Sequence, residues 1–309
     1  MDISIVIPVF NEEENVLRLH DKLTSVLKKI TSSYEIIFVD DGSTDTTLEK
    51  LLKLKKKDAH VKVVPFQRNF GKALALMAGF KESKGEIVFT MDGDLQDDPE
   101  EIPKFIAKLN EGYDLVSGWK YKRYDPITKT IPSKFFNWLT AKVTGVKIHD
   151  SNCGFKAYKK RVLEHIRIYG ELHRYIPALV HWKGFKVGEV KVRHHPRKFG
   201  KSKYGIERLV KGFLDLITVK FLMTYTSRPL HFFGPIGLLS SLFGFIIGAY
   251  ILTLKLLTGT VQSKYPLIML SVLLIVLGVQ FISIGLIGEM IVGTKNNDEQ
   301  PSYLIKKLK

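Results

Sequence analysis

The stretch that decides how this chain is interpreted is Met91-Asp92-Gly93-Asp94-Leu95-Gln96. It directly follows the apolar run at residues 87–89, so two carboxylates stand one residue apart where a strand would end. In an extended backbone, side chains at positions i and i+2 point to the same side. Two such carboxylates suit Mg²⁺ or Mn²⁺, which proteins usually share with substrate phosphates. A lone Asp-Gly-Asp is more often an acidic turn that caps a helix, which here would start near Pro99. The choice between a metal site and a helix cap therefore depends on the rest of the chain.

The first 117 residues alternate between short apolar runs and segments in which apolar side chains have helical spacing. The runs predict strands over residues 3–7, 35–39, 61–65 and 86–91 and a fifth from residue 114, and the segments predict helices over residues 11–29, 46–57, 72–81 and 100–110. This alternation predicts an α/β fold with a mainly parallel sheet covered by helices on both faces. Ligands on such sheets bind at the carboxyl ends of the strands. The polar clusters at residues 11–14, 40–43 and 92–94 fall at those ends.

The net charge of +16 is distributed unevenly along the chain. Residues 1–117 hold 16 basic and 21 acidic side chains, residues 118–229 hold 25 and 7, and residues 230–309 hold 6 and 3. The middle part is therefore a basic belt that favours an anionic partner, either nucleic acid or an anionic membrane surface. The single cysteine, Cys153, excludes an intrachain disulfide and fits a reducing compartment.

Two long uncharged segments favour a membrane over nucleic acid. Residues 232–254 and 265–288 carry no charged side chain, and each segment is long enough to cross about 30 Å of hydrocarbon. Core helices of soluble proteins rarely lack charge for so long. Basic residues are more numerous on the outer flanks of this pair of segments than between them, where Lys255 and Lys264 stand. The positive-inside rule then places both termini in the cytoplasm, and the N-terminus is expected to carry no signal peptide.

Two basic segments with bulky apolar residues precede the uncharged ones, at residues 132–143 and 206–225. Next to a membrane anchor they are predicted to be interfacial amphipathic helices, and ordinary core packing is an equal alternative. The chain is therefore predicted to have a catalytic domain, a juxtamembrane helix, a transmembrane hairpin and a cytoplasmic tail. The predicted bounds are 1–200 for the domain (nucleotide and metal half 1–117, acceptor half 118–200), 201–229 for the interfacial helix, 230–292 for the hairpin (helices at about 230–255 and 265–290) and 293–309 for the tail.

Six segments, taken in order, resemble the family 2 glycosyltransferases of the GT-A type. The resemblance is closest to the polyprenyl-phosphate glycosyltransferases of the GtrB-like and dolichyl-phosphate mannose synthase type. The segments are residues 5–15, 39–45, 68–72, 91–99, 152–158 and 195–204. The resemblance extends over residues 3–225, and the tail with its two uncharged segments resembles the GtrB-like branch. Each segment is weakly specific by itself, but six in the family's order are not expected by chance.

The resemblance implies a role for particular residues in each segment. The implied donor-nucleotide contacts are Pro8, Phe10, Glu12, Val39, Asp41, Asp92 and Gly93. The implied ligands of Mg²⁺ or Mn²⁺ are Asp92, Asp94 and Gln96. The implied phosphate contacts are Lys120, Arg197 and Lys203. Lys120 stands where relatives often have Arg, which keeps the charge but loses the planar fork of guanidinium.

Asp150 is the candidate general base or acceptor-orienting residue, and Asp94 is the other candidate catalytic carboxylate. A plain hydrogen-bonding role in its loop is an equal alternative for Asp150. His194 and His195 are expected to contact phosphate or to be structural, rather than to bind a metal.

The implied reaction is the inverting transfer of a sugar from a nucleotide-sugar, with UDP preferred over GDP, to a polyprenyl phosphate in cell-envelope glycosylation. A phosphate monoester is already largely anionic at pH 7, so a strong general base is less necessary than for a sugar hydroxyl. The resemblance also implies a homo-oligomer. Two alternatives stay open. One is a processive polysaccharide synthase, whose Gln-x-x-Arg-Trp segment has no counterpart because no Trp follows an Arg in this chain. The other is a non-catalytic membrane adaptor that binds anionic lipid.

Overall fold

The computed structural model describes residues 1–121, 137–196, 207–225, 228–261 and 264–295. The chain divides into two compact units, Met1–Val219 and Lys220–Lys309. The first unit contains the sheet and the second contains the two long apolar helices.

Seven strands form one sheet in the order β3-β2-β1-β4-β6-β5-β7. The strands are β1 (Ile3–Val9), β2 (Tyr34–Asp40), β3 (Val61–Pro65), β4 (Ile87–Thr90), β5 (Leu115–Lys120), β6 (Lys156–Lys159) and β7 (Val187–Val192). The neighbours are parallel except for β6, which is antiparallel to both β4 and β5. The predicted α/β fold with a mainly parallel sheet is therefore confirmed, whereas β6 and β7 were not predicted.

The helices follow the strands in the predicted alternation. They are α1 (Val16–Ile30), α2 (Thr47–Lys57), α3 (Lys72–Glu82), α4 (Ile102–Asn110), α5 (Lys160–Leu163), α6 (Ile176–Trp182), α7 (Glu207–Tyr225), α8 (Leu230–Thr258) and α9 (Tyr265–Lys295). Residues 137–144 are also helical. α1 begins five residues later than predicted because Asn11 adopts a positive φ of 54° and its side chain accepts a hydrogen bond from the Thr44 N–H at 2.8 Å.

The helix that follows the Asp-Gly-Asp stretch is capped by neither of its aspartates. Asp98 accepts a hydrogen bond from the Glu100 N–H at 3.1 Å and so caps the 3₁₀ turn Pro99–Glu101, which leads into α4. Because the capping carboxylate is Asp98, the helix-cap alternative does not account for Asp92 and Asp94.

The core of the first unit lies between the sheet and the helices that cover it. On α1, Val16, Leu19, Leu23 and Leu27 are fully buried, which is the face predicted from their spacing. Beneath α4, the rings of Phe89, Phe105 and Phe155 pack with centroids 4.4 to 6.2 Å apart. These contacts join β4 to the segment that enters β6, and they hold the central strands in register.

α7 has the two faces that its sequence predicts. Leu216 and Val219 are buried, and the Tyr175 hydroxyl donates a hydrogen bond to the Gly212 carbonyl at 2.8 Å. Leu214 and Ile217 are more than half exposed. One face therefore packs in the core and the other presents apolar side chains to the outside, as an interfacial helix would.

A cluster of two histidines around one carboxylate ties α1 to the start of β3. His20 Nε2 lies 2.9 Å from one oxygen of Asp58, and His60 Nδ1 lies 2.9 Å from the other. Burial by itself would raise the pKa of Asp58, but the hydrogen bonds from His20 and His60 outweigh it and lower that pKa from 3.8 to about 2. The ionised form of Asp58 is therefore stabilised by folding.

We predict that Asp58→Asn lowers the free energy of unfolding of the first unit by about 2 kcal/mol at pH 7. Because the pKa of Asp58 is lower in the folded state, its contribution is complete above about pH 4 and is lost as the pH falls through about 2. Urea unfolding of the detergent-solubilised protein, followed by tryptophan fluorescence, measures the difference, since Trp119, Trp138 and Trp182 all lie in the first unit. Glu82→Gln, at an exposed side chain at the end of α3, is the control. A constant difference between Asp58→Asn and the natural protein from pH 7 to pH 2 would contradict the assignment.

The second unit is a pair of helices long and apolar enough to cross a membrane, over Leu230–Thr258 and Tyr265–Thr294. Each is at least as long as the roughly 20 residues that a span requires. Little of either helix is buried inside the protein, so their apolar side chains remain available to lipid.

Small residues let the two helices approach closely. A Cβ atom built on Gly278 would lie 2.6 Å from the carbonyl oxygen of Gly237 and 2.0 Å from Ser241 Oγ. The Ser271 hydroxyl donates a hydrogen bond to the Gly244 carbonyl at 2.7 Å. Helices in lipid associate through this kind of backbone contact and interhelical hydrogen bond.

We predict that Gly278→Ala destabilises the helix pair by about 1–3 kcal/mol, because the added methyl group has no room. Gly293→Ala on the same helix is the matched control, since a Cβ there would meet no atom within 4 Å. Helix content of the full chain in detergent, followed by circular dichroism on heating, measures both. Equal melting of the two variants would mean that the close contact at Gly278 does not stabilise the pair.

Candidate active site

The candidate site lies where the connections of the sheet change direction. From β1 the chain adds β2 and β3 on one side and β4 on the other. A crevice forms at the carboxyl ends of the strands at such a point. Gly93, after β4, lies against the end of β1: its Cβ would be 2.8 Å from Val9 Cγ1, 3.6 Å from the Pro8 carbonyl oxygen and 3.7 Å from Glu12 Cγ. Two of the predicted donor-binding segments are therefore in contact.

The loop after β1 is fixed by hydrogen bonds to the loop after β2. The Asn11 N–H donates to Ser43 Oγ at 2.9 Å, and the Glu12 N–H donates to Thr47 Oγ1 at 2.9 Å. Glu12 Oε2 accepts a hydrogen bond from the Asn15 side chain at 2.6 Å. These contacts orient Glu12 at the rim of the crevice, where Pro8 and Phe10 are half-buried.

Asp41 shapes the crevice from the end of β2. Its carboxylate accepts hydrogen bonds from the N–H groups of Phe70 and Gly71, at 2.7 and 3.0 Å. Burial raises the pKa of Asp41, and these two hydrogen bonds oppose the rise. The carboxylate predicted to contact the nucleoside thus also holds the loop that leads into α3. Val39 is fully buried and paired with both neighbouring strands, so its side chain has no surface open to a ligand.

Asp92 lies between a lysine and a glycine. Its carboxylate forms an ion pair with Lys72, the first residue of α3. A Cβ on Gly154 would lie 2.5–2.6 Å from the carboxylate atoms of Asp92, so only glycine leaves room for that side chain. Burial would raise the pKa of Asp92, but the positive charges of Lys72 and Lys120 hold it well below its usual range. Asp92 is therefore anionic, and about 30% of its side chain is exposed to the crevice.

Residues 92–96 form a turn and not the extended segment expected from the spacing of the aspartates. Leu95 has a positive φ of 61°, and the Gln96 N–H donates to Asp94 Oδ1 at 3.2 Å. The extended geometry expected for the two aspartates was wrong, because the chain turns here and then runs toward residue 194. There the Gln96 side-chain amide donates to the His195 carbonyl at 3.3 Å. Asp94 and Gln96 still come together, through the turn and not through strand alternation.

The residues present fit a divalent cation at an open site. In the part of the chain that the structure describes, no group of three His, Cys, Asp or Glu residues is arranged to enclose a metal ion. Asp94 and the amide oxygen of Gln96, with Asp92 beside them, are hard oxygen donors of the kind that Mg²⁺ and Mn²⁺ prefer. Such an ion completes its coordination with water and substrate phosphate, which an incomplete protein shell permits.

Lys120 approaches the same turn from the end of β5. Its Nζ lies 3.3 Å from Asp97 Oδ1, and the two side chains are 14% and 1% exposed. Burial would lower the pKa of Lys120, but Asp97, Asp92 and Asp150 outweigh burial and raise it, so the ammonium stays charged. Sequence reasoning missed Asp97 because it stands in an acidic run next to the helix cap. The signal that could have found it is the buried cation at position 120, which needs a counter-charge.

Asp150 is buried and not exposed in a surface loop. It is 2% exposed, and its carbonyl oxygen accepts a hydrogen bond from Ser117 Oγ at 3.3 Å. Its charge contributes to the raised pKa of Lys120, whereas burial lowers the pKa of Lys156 and the charge of Asp150 only partly opposes that. Cys153 beside it is inert as a nucleophile, because burial raises the pKa of its thiol to about 12.

The two histidines of the last segment make structural contacts. The Asp97–His194 backbone pair joins the turn to the end of β7, and His195 Nε2 lies 3.1 Å from Asp98 Oδ2. Arg197 and Lys203 lie outside the described residues.

Comparison with solved structures supports the architecture. Glucosyl-3-phosphoglycerate synthase from Mycobacterium tuberculosis, in complex with Mn²⁺, UDP-glucose and phosphoglyceric acid, superposes with a TM-score of 0.56 over 72% of this chain and 79% of its own. The two sequences are 19% identical, so this likeness shows the fold alone, which is the GT-A fold.

Sequence comparison extends along the whole chain. Dodecaprenyl-phosphate galacturonate synthase from Rhizobium johnstonii is 38% identical, over 100% of this chain and 93% of its own length. Undecaprenyl-phosphate 4-deoxy-4-formamido-L-arabinose transferase from Yersinia pestis is 35% identical, over 99% and 93%. The family model of glycosyl transferase family 2 matches residues 4–167, more than half of the chain. The chain therefore belongs to glycosyl transferase family 2, whose curated relatives matched here transfer sugars to polyprenyl phosphates.

Proposed function

We propose that this enzyme transfers a sugar from a nucleotide-sugar, preferably a UDP-sugar, to a polyprenyl phosphate, with inversion at the anomeric carbon. The observation that carries the proposal is the similarity over the full chain, apolar helices included, to two relatives named for dodecaprenyl-phosphate and undecaprenyl-phosphate chemistry. The product would be a polyprenyl-phosphate monosaccharide used in glycosylation of the cell envelope.

The donor would occupy the crevice at the carboxyl ends of β1, β2 and β4. Pro8, Phe10 and Glu12 are proposed to hold the nucleoside, because a carboxylate accepts hydrogen bonds from ribose hydroxyls or a base N–H. Asp41 supports that pocket through the loop it holds and is proposed to contact the nucleoside.

The donor diphosphate would lie between the turn after β4 and the end of β5. Asp94 and Gln96, with Asp92, would hold Mg²⁺ or Mn²⁺, which supplies charge neutralisation for the departing nucleoside diphosphate. The Mn²⁺ in the complex of the Mycobacterium tuberculosis enzyme, which shares the fold, supports this choice. Lys120 would contribute a second positive charge to the diphosphate.

The acceptor side of the site needs positioning more than it needs a base. The attacking phosphate oxygen is already anionic, so the rate would depend on holding it in line with the sugar. Asp150 is proposed to orient the acceptor through the interaction of its charge with Lys120 and Lys156. Arg197 and Lys203 are proposed to bind acceptor or donor phosphate, on the basis of the family resemblance.

The enzyme is proposed to sit in the cell membrane by α8 and α9, with the catalytic unit and both termini in the cytoplasm. The apolar length of both helices and the larger number of basic residues on their outer flanks than between them support this topology. The small-residue contacts between the helices fit packing within lipid, and further copies of the chain are proposed to assemble with it.

The test is incorporation of labelled sugar into an organic-extractable polyprenyl phosphate. Purified protein is mixed with undecaprenyl phosphate and a donor panel that includes a UDP-uronate, neutral UDP-hexoses and a GDP-hexose, with Mg²⁺ or Mn²⁺ and then with EDTA. We expect one donor to be used and EDTA to abolish transfer. Failure of every donor would overturn the proposal, and formation of a long polymer would favour the processive synthase instead.

Asp94→Asn is expected to lower the rate of transfer at least about 100-fold, because the anionic ligand that would hold the cation is lost, and that cation neutralises the leaving group. Glu100→Gln, which makes the same charge change at a side chain that is 70% exposed, is the control and should keep near-normal activity. Near-normal turnover by Asp94→Asn would remove the metal assignment.

Gly154→Ala is expected to inactivate the enzyme without unfolding it, because its methyl group would displace the Asp92 carboxylate. We predict a loss of transfer of at least about tenfold, with the melting temperature of the first unit changed by only a few degrees. Activity and thermal unfolding are measured on the same preparation. A fully active Gly154→Ala protein would show that the position of Asp92 does not matter.

A further inference from the structure

We propose that Asp97 is a positioning residue that holds Lys120 and the turn at residues 92–96 in one arrangement for binding the donor diphosphate. The inference rests on the proposed donor site.

Asp97 contacts both partners with one carboxylate. Oδ1 lies 3.3 Å from the ammonium of Lys120, and Oδ2 accepts a hydrogen bond from the Asp92 N–H at 3.4 Å. The side chain of Asp97 is 1% exposed, so both contacts form away from competing water. A substitution at Asp97 is therefore expected to disturb the positions of both Lys120 and Asp92.

Lys120 has the properties of a side chain that needs such support. A lysine is a point charge on a flexible four-carbon stem and lacks the rigid fork by which arginine binds phosphate. The Lys120 ammonium pairs with Asp97 at 3.3 Å, and because a lysine ammonium has three donors, further N–H groups can serve a phosphate oxygen. Asp97 fixes the direction of the stem while leaving the donors of the ammonium for the ligand.

The other carboxylates of the site are less suited than Asp97 to pair with Lys120. Asp92 is already paired with Lys72. Asp97, by contrast, is held by its backbone pair with His194, so its position does not depend on any ligand. Without its charge, Lys120 would be drawn toward Asp92 or Asp150, the other carboxylates whose charges act on it.

The experiment is a double-mutant cycle on nucleotide affinity in the full-length, detergent-solubilised protein. UDP and GDP are titrated by calorimetry, with Mg²⁺ and with EDTA, into the natural protein, Lys120→Met, Asp97→Asn and the double variant. Asparagine keeps an acceptor for the Asp92 N–H and removes only the charge. We expect each single change to weaken binding of the preferred nucleotide about tenfold, and the double variant to be no weaker than Lys120→Met, since neighbours in one network are not additive.

Asp114→Asn is the matched control. Asp114 is also buried and ion-paired, with Arg161, but it precedes the opposite end of β5. It should lower thermal stability and leave nucleotide affinity unchanged. The KM for the donor should rise in Asp97→Asn while the KM for polyprenyl phosphate stays constant, which a general loss of stability would not produce.

The inference would be overturned if Asp97→Asn bound the nucleotide as tightly as the natural protein does. It would also be overturned if the losses of affinity multiplied to about a hundredfold in the double variant. A natural protein that binds neither UDP nor GDP would overturn it as well. If Asp97→Asn fails to fold, the nucleotide affinity of Lys120→Met is compared with that of the double variant. The double variant lacks both charges of the Asp97–Lys120 pair, so neither is left buried without its partner. Equal affinities support the inference and a further loss overturns it. Nucleotide binding without sugar transfer would overturn the proposed function alone.

Discussion

The contact between the Asp92 carboxylate and the backbone of Gly154 is the constraint on which the rest of the site depends. It exists because β6 is inserted, antiparallel, between β4 and β5. The segment before β6 then passes directly under the end of β4, and a side chain at position 154 would fill the space that Asp92 occupies. With Asp92 held there, Lys72 can pair with it from the start of α3, and the turn that follows is aimed at the crevice.

Charge compensation is the second feature of the site. Lysines and aspartates alternate around the ends of β4 and β5, and the least exposed of them, Asp97, Asp150 and Lys156, are 1–3% exposed. Buried charges without partners are strongly unfavourable, so each sign requires the other. The arrangement keeps Lys120 charged and Asp92 ionised, which is what a site for a metal-bound diphosphate needs before the ligand arrives. Burial of these charged groups lowers the stability of the fold, but it fixes their positions before the ligand binds.

Much of the fold and part of the site follow from local sequence patterns. The alternation of apolar runs and helical spacing predicted the strands β1 to β5 and the helices α1 to α4 within a few residues. β6 and β7 were not predicted, because β6 has four residues and its position depends on which strands it pairs with. The buried histidine–aspartate cluster at Asp58 and the Asp97–Lys120 pair also escaped prediction. Each joins residues more than 20 positions apart, and no local pattern marks them.

By itself the sequence determined the fold class, the uncharged segments long enough to span a membrane, the basic belt and the segments that carry the site, because periodicity, charge and turn chemistry are local properties. Only the tertiary structure decided how those segments meet. It replaced the extended Asp-Gly-Asp geometry with a turn, buried Val39 in the sheet, engaged Asp41 with the loop before α3 and supplied Lys120 with Asp97. The physical reason is that strand order and the pairing of buried charges are set by long-range contacts, which compete for the same space and are settled only when the whole sheet has formed.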